Sequence, residues 1–148
     1  MGTVRVADDH DLRWRGSDQA RTEALLARGI AFTAEELAGK TREHHAGSAT
    51  EPELFEVKFG PDTVVHSHAH LCDEIIYVIA GQLILGSRVL DPGSSVLIAG
   101  HTLYSFRTGP DGVHFVNFRP RNGAGYLSKD EFMAQRGAES VDAPTRAD

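Results

Sequence analysis

The chain holds a single cysteine, Cys72, in 148 residues. No internal disulfide can form, so stability has to come from packing. No apolar run approaches the ~18–20 residues a membrane-crossing helix needs. The opening stretch, Met1 to His10, is acidic where a signal segment would be basic and then apolar. Lys and Arg never cluster and the formal net charge is −6, which removes the several basic contacts that phosphate-backbone binding requires. Gly-rich phosphate loops and strand–helix alternation are missing as well. These absences argue against nucleic acid and membrane as partners, and they make the cytoplasm, a reducing compartment, the expected location. With 41% apolar residues, the length suits one domain with a sizeable core.

Three textures divide the chain. Residues 1–50 read as an N-terminal arm with short helices. Ser17 to Arg28 is helix-forming with Gly29 as a stop, and Thr33-Ala34-Glu35-Glu36 has capping-box spacing for a second helix to about Lys40. The arm is poor in apolar residues, so it needs another surface to lie on. Residues 51–120 switch to short strands. Phe55, Val57 and Phe59 alternate with Glu56 and Lys58, Ile75 to Ala80 is a continuous apolar run expected to be buried on both faces, and further short strands follow to Phe118. Turn signals at Gly60-Pro61-Asp62, Asp91-Pro92-Gly93 and Gly109-Pro110-Asp111-Gly112 separate them at the spacing of an all-β sandwich or barrel. Phe55, Phe59, Ile76, Val78, Val96, Ile98, Phe106, Phe115 and Phe118 are candidates for core or pocket wall. Residues 121–148 hold a capping box at Ser128 to Glu131, a short helix to about Gln135 and a tail expected to fray beyond Gly137.

The densest chemistry lies in His66-Ser67-His68-Ala69-His70-Leu71-Cys72-Asp73-Glu74. On a strand His66, His68 and His70 share one face, while the small Ser67 and Ala69 take the other. Imidazole and carboxylate together suit a divalent metal ion: Fe, Zn, Mn, Ni or Cu. All three histidines cannot easily ligate one ion, because His66 and His70 lie roughly 13 Å apart along an unbroken strand, against metal–nitrogen bonds of about 2.0–2.1 Å. A β-bulge would be needed.

With the strand pattern, these residues resemble the cupin superfamily over roughly residues 52–120. Its first motif, Gly-x5-His-x-His-x3–4-Glu-x6-Gly, fits here in two registers. Counted back from Gly81, it pairs His68 and His70 with Glu74; counted from Gly60, it pairs His66 and His68 with Glu74. We take His68, His70 and Glu74 as the metal ligands, since ligand spacing is fixed by the ion whereas an upstream turn can absorb two residues. His66 is then an inward-facing pocket or catalytic residue. The second motif departs from the family pattern: Ala99 stands for Pro, His101 for Gly, Tyr104 for the fourth ligand His, and Thr108 for Asn. Three readings stay open. Tyr104 ligates as phenolate, or it is an acid/base group beside the metal, or His101 or His114 supplies the fourth bond. A phenol titrates near pH 10 unless a cation depresses it.

Elsewhere, Cys72 is expected as a small buried hydrophobe, His114 as a strand histidine bonded to a backbone carbonyl, and Glu43-His44-His45 as solvent-exposed residues of the arm. Arg107 and Arg119 are candidate anchors for an anionic substrate, with a place on the solvated surface the simpler expectation. The resemblance therefore implies an all-β fold, a jelly-roll-like barrel, to which the local patterns add a short helical N-terminal arm and a short C-terminal helix that the resemblance does not cover. It also implies a range of functions: dioxygenases, isomerases, lyases, cyclases, epimerases and non-catalytic binding proteins. Two histidines and a carboxylate match the ligand set of non-haem Fe(II) oxygenases, so dioxygenase-like oxidation of a small organic acid or phenol is the first expectation. Redox-neutral chemistry is the second and ligand binding without turnover the third. A homodimer is expected from the arm and the sheet edges.

Overall fold

The computed structural model describes residues 2–122 and 125–142. After a 3-10 turn at Asp9–Asp11 come helices α1 (Gln19–Ala27) and α2 (Ala34–Leu37). Strands β1 (Lys40–His45), β2 (Glu53–Phe59), β3 (Val64–Ala69), β4 (Glu74–Leu85), β5 (Arg88–Leu90), β6 (Ser95–Ile98), β7 (Tyr104–Arg119) and β8 (Leu127–Ser128) follow, then helix α3 (Lys129–Asp142). The helix starts are set locally. Asp18 accepts the Arg21 N–H at 2.7 Å to cap α1, and Thr33 and Glu36 cap each other at α2. Ser128 and Glu131 do the same at α3. Helix α3 extends to Asp142, past both the expected end near Gln135 and the fraying expected beyond Gly137, whereas residues 143–148 lie outside the described residues.

The strands form one antiparallel eight-stranded sheet, with β7 as its spine. Along one edge β7 pairs with β4; along the other its first part pairs with β3 and its last part with β2. Sequence reading expected two strands separated by a turn at Gly109 to Gly112. The chain runs through instead, because the registers of β4 against β7 slip there and the bend is taken up within the ladder. Gly81 and Gly112 make this possible. Both have positive φ, and a Cβ on Gly81 would lie 2.1 Å from the Gly112 carbonyl oxygen.

The core holds Val57, Val65, Ile76, Val78, Leu83, Ile98, Phe106, Val113 and Phe115, with Phe55, Phe59 and Val96 packed against it. A second cluster of Ala69, Leu127 and Phe132 seats α3 on the back of β3. Two core expectations fail. Ile75, Tyr77 and Ile79 are 41%, 48% and 41% exposed, so β4 is buried on one face only. Phe118 is 37% exposed. It stands three residues from the inward-facing Phe115, and on a strand that separation puts the two rings on opposite faces. Residues 40–45, read as part of the arm, form strand β1 against β2. Outward-facing Glu56 is nonetheless buried, because Arg42 and His44 of β1 and His114 of β7 all bond its carboxylate.

Candidate metal centre and cavity

His66, His68 and His70 form a continuous ring series, with centroids 6.1 Å apart for the first pair and 5.0 Å for the second. The β3 register shifts between Val65 and His68, so a bulge lies where the three-histidine geometry would need one. His68 and His70 are buried. His68 Nδ1 meets the His66 carbonyl at 2.8 Å and His70 Nδ1 meets the Gly125 carbonyl at 2.9 Å. A carbonyl only accepts, so each Nδ1 carries the proton and each Nε2 presents a lone pair. Burial pushes the His68 imidazolium down to about 4, and burial with the charge of Arg119 lowers His70 as well. Both rings are therefore neutral near pH 7.

Tyr104 sits directly across the ladder from His68. Its hydroxyl donates to Glu74 Oε1 and lies 3.2 Å from His68 Nε2. Glu74 is almost fully buried. Its Oε2 accepts from Asn117 at 2.9 Å and from Arg119 Nη2 at 3.3 Å. Burial raises the Glu74 carboxyl, but the neighbouring His70, the Tyr104 hydroxyl, Arg119 and Asn117 together leave it below the usual carboxylate range. The Tyr104 phenol is pushed up by burial and then by the Glu74 charge, so it stays protonated.

The donor set suits a divalent cation. A hydroxyl has one proton, and Tyr104 gives it to Glu74, which leaves the buried Nε2 of His68 without a donor. Neutral imidazoles with anchored Nδ1–H groups and an ionised carboxylate are the ligand types such an ion takes. His68, His70 and Glu74 are not drawn tightly together, since Arg119 Nη2 stands 3.4 Å from His70 Nε2 on its way to Glu74. Among the described residues, the one trio of metal-capable groups with all donor atoms within 4.8 Å is Asp8, His10 and Asp11, which are exposed in the arm.

A second hydrogen-bonded chain flanks the first. Glu36 Oε2 lies 2.6 Å from His66 Nδ1, and His66 Nε2 accepts from the Tyr126 hydroxyl. The Tyr126 ring stacks on His68 at 5.2 Å with the planes 9° apart. Burial raises the Tyr126 phenol, and the Glu36 charge adds to it. Sequence reading found Glu36 only as a helix cap and missed Tyr126 altogether. Glu36 does both tasks, with Oε1 on the Thr33 N–H and Oε2 on His66. Tyr126 follows a glycine-rich stretch and carries no periodic signal.

Other expected residues fall elsewhere. His101 is exposed at φ 59°, and its backbone N–H donates to the His70 carbonyl at 2.7 Å. His114 bonds Glu56 at 2.7 Å rather than a backbone carbonyl. His44 is half-buried on the same carboxylate, whereas Glu43 and His45 are exposed. Arg107 is exposed, but Arg119 is not the surface group expected and lies between Glu74 and Glu53. Cys72 is buried, and burial raises its thiol.

The imidazoles open into a cavity of about 570 Å³ between the barrel and the arm. Val57, Phe59 and Val65 form its barrel wall, His68, His70 and Tyr126 a polar end, and Phe32, Leu25 and Arg21 part of the arm side. A curled antiparallel sheet with inward imidazoles on β3 and a mouth covered by the arm is the cupin fold. Solved structures agree. An RmlC-like cupin protein from Ralstonia eutropha is similar over 99% of this chain and 93% of its own, at 13% identity and TM-score 0.61. The DMSP lyase DddQ from Ruegeria pomeroyi matches over 80% of this chain at 14% identity and TM-score 0.59, and the matched region spans 61% of that lyase. KdgF from Halomonas sp. matches over 65% of this chain and 91% of its own, at 24% identity and TM-score 0.50. At these identities the likeness is one of fold. No protein-family model matches the sequence, and no curated protein does.

Proposed function

We propose that this chain is a metal-dependent, small-molecule cupin enzyme whose chemistry is redox-neutral proton transfer, of the lyase, isomerase or cyclase kind. The observation that carries the reading is the Glu36–His66–Tyr126 chain ending beside the imidazole pair. His68, His70 and Glu74 would hold the ion. A bound divalent cation supplies Lewis-acid polarisation of a substrate oxygen. Tyr126 Oη holds a proton at the cavity face, and His66 Nε2 receives it or returns it. Glu36 fixes the His66 tautomer by accepting from Nδ1, as an orienting carboxylate does in other catalytic chains. Tyr104 holds Glu74 in place and is a second proton donor at the metal end.

A second reading, oxygen-dependent oxidation, is favoured by the two-histidine, one-carboxylate donor set. The two separate in a simple experiment. The purified protein is analysed for metals, then incubated without oxygen in D2O with a panel of small organic acids, and deuterium wash-in at carbon is followed by NMR. Exchange that falls about 10²–10⁴-fold in Tyr126→Phe supports the proposal. Oxygen uptake with iron bound and no exchange would replace it with oxidation. Metal bound with neither activity would leave a binding protein, and full metal occupancy in both His68→Ala and Glu74→Ala would refute the site.

The homodimer belongs to the same reading. Leu97, Ile75 and Phe118 lie side by side across β6, β4 and β7 on the outer face, and all three are exposed. A second copy covering that face would bury them. The buried lone thiol agrees with a cytoplasmic setting.

A further inference from the structure

Helix α1 turns one face toward the cavity. Asp18, Arg21, Thr22 and Leu25 all line it, and their spacing of three, four and seven places them along one stripe. Three of the four are engaged. Asp18 caps the helix, Thr22 Oγ1 donates to the Asp18 carbonyl at 2.8 Å, and Leu25 is buried. Among the described residues, the Arg21 guanidinium has no hydrogen-bond or ion-pair partner. The acids nearest the reactive end are already committed. Glu36 is held by Thr33 and His66, Glu53 by Arg119, and Glu74 by Arg119, Asn117 and Tyr104. Arg15 and Glu43 also line the cavity, one residue of each sign.

We infer that the cavity takes a small monocarboxylate, with its carboxylate on Arg21, its body against Phe32, Val57, Phe59 and Val65, and its reactive part at the imidazole pair. The substrate class rests on the enzyme reading above; the binding geometry does not. A guanidinium without a partner, facing a part-apolar cavity, matches carboxylate in shape and charge. A monoanion suits the site better than a dianion because Asp11, Asp18, Glu36 and Glu43 also line the cavity and repel a second negative charge.

The test uses the full chain in excess chelator, so that no metal can capture the probe. Benzoate, its neutral isostere benzamide and inorganic phosphate are titrated calorimetrically into the wild type, Arg21→Gln and Arg21→Lys. Arg13→Gln is the control, because the Arg13 guanidinium already donates to the His10 and Leu12 carbonyls. Benzoate is expected to bind the wild type and the control alike. Arg21→Gln should weaken it by about 10- to 100-fold, Arg21→Lys by less, and benzamide should bind the wild type about as weakly as benzoate binds Arg21→Gln. Equal binding of benzoate and benzamide, unchanged benzoate binding in Arg21→Gln, no benzoate binding to the wild type, or tighter Arg21-dependent binding of phosphate would each overturn the inference. Arg21 is exposed and outside the core, so an unchanged melting temperature of the ligand-free variant shows that folding is intact. Metal content and deuterium exchange, measured separately, show whether a failure belongs to this inference or to the enzyme reading.

Discussion

At Tyr104 one proton faces two acceptors, Glu74 Oε1 and His68 Nε2, and the carboxylate takes it. Replacing Tyr104 with Phe removes a donor from Glu74 and leaves the imidazole lone pairs untouched. The expected outcome is a protein that keeps its metal by elemental analysis but loses turnover by about 10²–10⁴-fold, the range typical of losing a general acid/base group. Loss of the metal would show phenolate ligation instead. The sequence made Tyr104 legible because it falls at the motif position of a ligand, and His68 and Glu74 because both registers of the first motif share them. The pairing of His66 with Tyr126 was invisible, since sixty residues separate them and only the folding of the chain after β7 back onto β3 brings them together.

Among the elements, β1, β2 and β7 are stapled on their outer face by Glu56, which receives Arg42, His44 and His114. Burial alone would raise this carboxyl, but those three bonds bring it down to about 2 from an ordinary 4.5. The unfolded chain binds the extra proton in that interval. The contribution, about 3 kcal/mol, is therefore fully present above about pH 4.5 and fades as the pH falls through about 2. Glu56→Gln is expected to lower the urea midpoint near pH 7 by a comparable free energy, and the difference from wild type should shrink in acid. A constant difference from pH 7 to pH 2 would refute this account. Most strands were readable from alternation and turn residues, and the capping boxes of α2 and α3 from spacing, whereas the Asp18 cap of α1 carried no capping-box signal. The continuity of β7 was not, because Gly109-Pro110-Asp111-Gly112 has turn chemistry and only the apposed Gly81 shows that the chain bends there without leaving the sheet.

For the whole molecule, the outer face of β4 carries the prediction. An apolar row of Leu97, Ile75 and Phe118 should associate at micromolar concentration, so sedimentation is expected to give a species near twice 16.1 kDa. Ile75→Lys should shift it to the monomer without unfolding it, because that side chain already faces outward. A wild-type monomer across the concentration range would remove the homodimer.

The spine strand also sets a timetable. β2, β3 and β4 each need β7 beside them, yet β2 is complete at Phe59 and β7 only at Arg119. At roughly 5–20 residues per second of synthesis, the early strands leave the ribosome several seconds before their common partner exists. Their open edges and aromatic inner faces are exposed to other chains for that interval. Yield in the cell should therefore follow translation speed and chaperone supply more closely than the stability of the finished barrel.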